Sequence, residues 1–364
     1  MKLVFLIPDL HPWGGTERVA VLMANHYAAK GIEVTLLSVG RPGRVFRFEV
    51  DAEVKKDSLN IHLESGWKLI RKIESVVAIR SYFRLTKQML NTDCDDNSPT
   101  ILLGIGNFPI ILAALVPKGS QVRTIGCMHT PYKSLFHIWK FLRWLFYCRL
   151  DVLVSLTHRD LPRLKRHNPN VLVIHNPVTF YPEQKAKLDN KLILAIGRMD
   201  YLKGYDLMME VFERFCRKNS DWRLKIIGDG PFKPDIEKLV RKKGMADRIT
   251  IAPATNDIEK EYLAASLYLM TSRSEGLPMV LLEAQACGLP IVAFDCETGP
   301  AEIVNHGVDG FLVSPNDFEK MSEHLQELAT DPDKRKTFGA AARENVKRFL
   351  PAEIFKQWDE LLRG

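Results

Sequence analysis

The stretch Ser272-Arg273-Ser274-Glu275-Gly276-Leu277-Pro278-Met279-Val280-Leu281-Leu282-Glu283-Ala284-Gln285-Ala286-Cys287-Gly288 decides how this chain is read. In front of it stands the apolar run Leu267–Met270, of the length of a buried strand. Behind its loop, Pro278–Cys287 has helical length, and Gly288 follows where a positive φ is easiest for glycine. Leu277 precedes a proline and is biased away from helical angles, so the helix is expected to begin at Pro278. Glu275 then sits in the loop and Glu283 about one and a half turns into the helix. The N–H groups of Met279 and Val280 point out of the helix start, with the positive end of the dipole behind them. Such a helix end, flanked by two carboxylates, suits a nucleotide-sugar: phosphate on the amides, sugar and ribose hydroxyls on the carboxylates.

Working outward, the strand–loop–helix unit repeats. Leu192–Ile196, Leu224–Ile227, Arg248–Ile251 and Ile291–Phe294 read as strands, and Tyr205–Cys216, Pro234–Lys243 and Ile258–Ala265 as helices. An earlier series has strands at Leu3–Pro8, Val34–Val39, Ile101–Leu103, Arg123–Gly126 and Val152–Leu156. Between the first two, Thr16 reads as an N-cap, Val19, Ala20, Met23 and Tyr27 have helical spacing, and Gly31 closes the helix. Alternation of this kind signals βαβ units and parallel sheets. The expected fold is α/β, with two doubly wound Rossmann-like domains facing a cleft: residues 1–176, a polar linker at 177–190, and residues 191–364, whose last helix can pack back on the first domain. Ligands of such sheets bind beyond the carboxyl ends of the strands.

Length and composition agree. A chain of 364 residues makes about two domains, and 46% hydrophobic with 26% charged residues excludes a disordered chain. No apolar run reaches the roughly 18 residues of a membrane span. The apolar N-terminus is broken by Asp9, too soon for a signal peptide. Six scattered cysteines argue against a zinc or disulfide framework and fit a reducing cytosol. Charge is unevenly spread: Lys and Arg lead Asp and Glu 24 to 14 in residues 1–180 and trail them 27 to 30 in residues 181–364. The basic first half suits an anionic partner.

Two further loops carry chemistry. In Gly197-Arg198-Met199-Asp200-Tyr201-Leu202-Lys203-Gly204, Arg198 offers a planar fork of donors and Lys203 a point charge, a pairing suited to a departing diphosphate. Gly14-Gly15-Thr16-Glu17 opens a helix of the other domain, and its glycines let backbone approach a ligand. With these loops in place, the sequence resembles the family-4 retaining glycosyltransferases of the two-domain B fold, of the kind that build surface polysaccharide and lipopolysaccharide. The match rests on Glu275-x7-Glu283 within S-E-G-L-P-x-V-L-L-E-A-x-A-C-G, on Arg198-x4-Lys203, on Gly299–Val313, and on Gly14-Gly15 with Glu17.

The resemblance implies roles by position. Glu275 contacts the donor sugar, Glu283 the ribose, and Arg198 and Lys203 the diphosphate. His129, in Cys127-Met128-His129-Thr130-Pro131, lies near the donor sugar, and its plain alternative is a satisfied buried histidine. Gly14 and Gly15 approach the phosphates. Gly276, Leu277, Pro278, Met279 and Val280 line the donor site, and Pro253 marks the base-binding loop. The family needs no metal or cofactor, and the D-x-D spelling at Asp93-Cys94-Asp95 is discounted because no strand leads into it. A UDP-sugar is preferred to GDP-mannose as donor. Two other readings stay open: a non-catalytic sugar-nucleotide-binding subunit of an assembly complex, and a nucleotide-sugar epimerase on the same fold.

The first domain should then hold the acceptor. Gly66–Leu90 reads as a basic helix, and Leu135–Arg149 mixes aromatics with cations. Both suit an interfacial helix on anionic lipid, and the second equally a core helix with snorkelling cations. The expected enzyme is cytoplasmic, peripheral on the inner membrane face, and acts on a lipid-linked or lipopolysaccharide glycan. Nothing in the second domain supports nucleic acid as a partner.

Overall fold

The computed structural model describes residues 1–8, 14–40, 48–59, 99–117, 121–134 and 137–364. The basic segment Gly66–Leu90 and the Asp93–Asp95 spelling lie outside the described residues. Two compact units emerge: Met1–Ile174 with Leu361–Gly364, and His175–Glu360.

In the first unit, β1 (Lys2–Ile7), β2 (Glu33–Ser38), β3 (Lys55–Ser58), β4 (Thr100–Ile105), β5 (Val122–Met128), β6 (Val152–Ser155) and β7 (Val171–Val173) form one parallel sheet ordered β3-β2-β1-β4-β5-β6-β7. In the second, β8 (Leu192–Ile196), β9 (Arg223–Ile227), β10 (Ile249–Ala252), β11 (Leu267–Met270), β12 (Ile291–Phe294) and β13 (Gly310–Val313) are ordered β10-β9-β8-β11-β12-β13. Each sheet reverses its winding once, between β1 and β4 and between β8 and β11, which makes both units Rossmann-like and doubly wound. Helices on both faces explain the unbroken apolar strands: Leu3, Val4, Phe5, Leu6 and Ile7 are all fully buried. The helix Tyr205–Cys216 buries Tyr205, Met208, Met209, Phe212, Phe215 and Cys216, a stripe at helical spacing that seals β8 and β9.

The aperiodic tract at 177–190 lies along the second unit. The Val178 amide donates to the Phe349 carbonyl and the Ala186 amide to Cys287, both at 2.8 Å. Arg343 donates to the carbonyls of Pro182, Glu183 and Gln184, and Arg335 Nε to that of Leu188 at 3.0 Å. At the other end, the final helix Pro351–Arg363 brings the Leu361 carbonyl within 2.6 Å of Arg123 Nη1 on β5.

The aromatic-cationic segment contains the helix His137–Phe146. Phe141, Trp144 and Leu145 are 54%, 63% and 44% exposed, whereas Arg143 is buried. Arg143 Nη1 donates to the Tyr132 carbonyl at 3.1 Å, and its guanidinium lies 4.2 Å from the Tyr132 ring centroid and 5.6 Å from that of Tyr147. Of the cations in this segment, Arg143 therefore faces two tyrosine rings rather than lipid, and the ring faces attract the desolvated guanidinium. Among the described residues, no helix is long and apolar enough to cross a membrane.

Candidate active site

The reversal point of the second sheet sets the loop after β8 beside the loop after β11. In the first loop, Tyr201–Lys203 form one 3₁₀ turn capped by Asp200, whose carboxylate accepts from the Lys203 amide at 3.2 Å. Gly204 ends the turn at φ +63° and starts the next helix. Thr271 Oγ1 donates to the Gly204 carbonyl at 2.8 Å, closing one loop on the other. Across this seam, Lys203 Nζ reaches both oxygens of Glu275, at 2.7 and 2.9 Å. Ser272 Oγ donates to Glu275 Oε1 at 2.6 Å, and Thr298 Oγ1 to the Glu275 carbonyl.

Glu275 is only 8% exposed. Burial pulls the Lys203 ammonium down, but the charge and hydrogen bonds of Glu275, with Asp200 behind them, hold it above its ordinary range. The cation assigned to the diphosphate and the carboxylate assigned to the sugar thus form one ion pair. Arg198 stands apart on the exposed side of the same loop, its Nε 3.7 Å from Asp200 Oδ2.

The motif helix spans Met279–Ala286, one residue later than the proline suggests at its start. Pro278 is extended, with ψ near 101°, and serves as N-cap by offering only its carbonyl, which accepts from the Leu281 amide at 3.0 Å. The amides of Met279 and Val280 therefore lie in the first turn, where no intrahelical acceptor is available. Gly276 and Leu277 complete the turn; a Cβ on Gly299 would stand 2.7 Å from the Gly276 carbonyl oxygen and 2.6 Å from Pro278 Cδ.

Glu283 is buried inside the helix face. Thr179 Oγ1 donates to its Oε1 at 2.8 Å and the Tyr262 hydroxyl to its Oε2 at 2.9 Å. Burial, reinforced by the Glu283 charge, pushes the Tyr262 hydroxyl well above its ordinary range, so it remains a donor. Pro253 follows β10 on an exposed loop. That loop is tied to the one after β9 by Asp229, which accepts from the Ala254 amide at 3.1 Å and from Lys233 Nζ at 2.9 Å.

The remaining candidates belong to the first unit. His129 follows β5 and is half-buried; desolvation pulls its imidazole down to about 4, so it is neutral at physiological pH. Thr130 beside it donates to Asn107 Oδ1 at 3.3 Å, joining the loop after β5 to the start of the helix that follows β4. Gly15 is the first residue of the helix Gly15–Ala29, and Gly14 is its N-cap in extended conformation. Thr16, expected to cap, lies inside the helix, because the helix begins one residue earlier, at Gly15. Sequence reasoning missed Thr179, Tyr262, Ser272 and Thr298. Thr179, Tyr262 and Thr298 carry no spacing signal, and only contact between distant segments gives them a task; Ser272 lies in the motif itself, three residues before the carboxylate it serves.

Residues 13–180 match the model described as Glycosyltransferase Family 4, and residues 179–345 the model described as Glycosyl transferases group 1. An uncharacterized glycosyltransferase of Haemophilus influenzae is 30% identical over 366 residues, covering 99% of each chain. An N-acetylgalactosaminyltransferase of Campylobacter jejuni, named for a glycan acceptor on PP-undecaprenol, is 25% identical over 367 residues, covering 100% of this chain and 98% of its own. Among solved structures, Anabaena Alr3699/HepE in complex with UDP superposes with a TM-score of 0.78 at 16% identity, covering 100% of both chains. Taken with the two doubly wound sheets, these matches establish that the chain belongs to the family-4, group-1 glycosyltransferases and has their two-domain B-type fold.

Proposed function

We propose that this glycosyltransferase moves a sugar, with retention of anomeric configuration and without a metal or cofactor, from a UDP-sugar to a lipid-linked or lipopolysaccharide glycan. The observation that carries the reading is the Lys203–Glu275 pair at the reversal point of the second sheet. Charge develops on the diphosphate as the anomeric bond breaks, and fixed donors aimed at that charge are worth most. The Met279 and Val280 amides, Arg198 and Lys203 supply them. Glu275 anchors the lysine and faces the sugar, and Glu283, fixed by Thr179 and Tyr262, takes the ribose. Neutral His129 acts as a hydrogen-bonding group rather than a cation. The matched residues gather on the donor side, with no second carboxylate named as a nucleophile. The departing phosphate oxygen then accepts the acceptor proton on the face it leaves, which retains configuration. The Alr3699/HepE complex with UDP supports the choice of nucleotide, and the Campylobacter relative supports a lipid-linked acceptor.

The test is a panel of nucleotide-sugars with a lipid-linked glycan, assayed in excess chelator. Released nucleoside diphosphate and an α-linked product from an α-linked donor, read from the anomeric coupling by NMR, are expected. A β-linked product refutes retention, a free isomerised sugar nucleotide indicates an epimerase, and loss of activity restored by magnesium or manganese refutes metal independence.

Membrane association is the second part of the reading. Phe141, Trp144 and Leu145 share one exposed helix face, with Lys140 and Arg149 exposed alongside. The protein is expected to float with vesicles rich in anionic lipid at low salt and to release as salt rises, because exposed charges are screened over ~10 Å at 0.1 M. Trp144→Ala with Phe141→Ala should weaken flotation, as should neutralising Lys140 with Arg149. Flotation unchanged in both variants would remove this face as the contact.

A further inference from the structure

Arg273 lies two residues before Glu275 and takes no direct part in the scheme above, yet its contacts converge on the turn that carries Lys203. Its guanidinium forks onto Asp206, with Nη1 to Oδ1 at 2.8 Å and Nη2 to Oδ2 at 2.5 Å. Nη1 also donates to the Tyr201 carbonyl at 2.8 Å, and the guanidinium carbon lies 4.1 Å from the Tyr201 ring centroid. The Arg273 amide donates to the Leu202 carbonyl at 2.7 Å. One residue of the Glu275 loop thus grips Tyr201, Leu202 and Asp206, which bracket Lys203 on both sides. Hydrogen bonding to Arg273 holds the Asp206 carboxyl below its ordinary range, and the same bond holds Arg273 above its own. Only a planar fork can serve Asp206 through two nitrogens while stacking on a ring; an ammonium cannot.

We propose that Arg273, with Asp206 as its partner, is a positioning residue for sugar transfer: it locks the 201–206 turn against the Glu275 loop and so fixes Lys203 and Glu275 in register across the seam. The inference rests on the proposed role of Lys203. It is separable from a merely structural one, because Asp206 is 40% exposed and ion pairs that open to solvent add little to global stability. A misplaced lysine, in contrast, costs rate directly, since displacement of about 1 Å in a reacting constellation can cost on the order of a hundredfold.

The experiment compares full-length Arg273→Lys and Asp206→Asn with the parent, each alone and combined with Lys203→Ala. It reads kcat, donor KM and thermal midpoint. Arg273→Lys is expected to lower kcat about ten- to a hundredfold, with donor KM and midpoint nearly unchanged, and Asp206→Asn to follow it. In the Lys203→Ala background neither should lower kcat further, because both act through that lysine. Parental kcat in both single variants, losses that add to Lys203→Ala, or a fall in midpoint that accounts for the lost activity would overturn the proposal. If Lys203→Ala itself turns over normally, the assignment of Lys203 falls, and this inference with it. If Lys203→Ala is crippled while Arg273→Lys and Asp206→Asn are silent, only this inference falls.

Discussion

Lys203→Ala is expected to lower kcat by roughly 10²–10³-fold, the range seen when one preorganised donor to a developing anion is removed. The loss should fall on kcat more than on donor KM, since in the proposed mechanism the charge it meets grows as the diphosphate departs. The geometry adds a second consequence. Glu275 is 8% exposed, and Lys203 supplies two of its hydrogen bonds. Removing one member of a buried pair costs about 3–5 kcal/mol in a fully desolvated setting. Here Ser272 still donates to Glu275 and Lys203 is 28% exposed, so the fall in stability should be smaller but measurable. Adding Glu275→Gln to Lys203→Ala should recover part of the lost thermal midpoint, because no carboxylate is then left without its cation, and should recover no activity. Turnover near the parental value in folded Lys203→Ala would remove the lysine from the mechanism.

That Lys203 and Glu275 lie on strand-end loops was legible, because each follows a short apolar run and precedes a helix. That they bind each other was not. They are 72 residues apart in the chain, and what joins them is sheet order, in which β8 and β11 become neighbours only after the chain has wound out through β9 and β10 and returned. The hydroxyls of Thr179, Tyr262 and Thr298 were invisible because they too meet their partners from distant points of the chain. Thr179 sits in an aperiodic tract and meets Glu283 only because Arg343, Arg335 and two backbone amides hold that tract along the second unit.

The strands show the limit of apolar periodicity. β8, β11 and β12 have the bounds their sequences suggest, since strands covered on both faces are apolar runs. β3 is Lys55-Lys56-Asp57-Ser58, which among the described residues is an edge strand whose backbone pairs with β2 while Lys55, Lys56 and Asp57 stay exposed; charge of this kind protects an edge from further pairing and erases its hydrophobic signature. Arg143 is the converse. Its type and neighbours suggested a surface cation, yet Tyr147, four residues on, and Tyr132 enclose it. The i,i+4 spacing to Tyr147 was the one local hint, and it does not reveal which side of the helix meets the protein.

Gly204→Ala should be strongly destabilising, and Gly244→Ala is its control. Both glycines have nearly the same φ, +63° and +64°, so both variants carry the left-handed penalty of about 1–2 kcal/mol. Their surroundings differ. A Cβ on Gly244 would meet nothing within 4 Å, whereas a Cβ on Gly204 would lie 2.2 Å from the Thr271 carbonyl oxygen. That oxygen belongs to the backbone between β11 and the Glu275 loop and cannot swing aside as a side chain would. Overpacking of this kind adds about 1–3 kcal/mol, so Gly204→Ala should cost about 2–5 kcal/mol in all, a large share of the roughly 5–15 kcal/mol that stabilises a domain. Because both positions lie in one unit, a single denaturation transition reports both, and their difference isolates the contact. The strain has one direct outlet, separation of the 201–206 turn from Thr271, which would draw Lys203 away from Glu275. Gly204→Ala that still folds should therefore lose most of its turnover while Gly244→Ala keeps it. Equal midpoints and equal activity in the two variants would show that the seam between the β8 and β11 loops is slack, and a slack seam could not hold the ion pair in the geometry that the proposed mechanism requires.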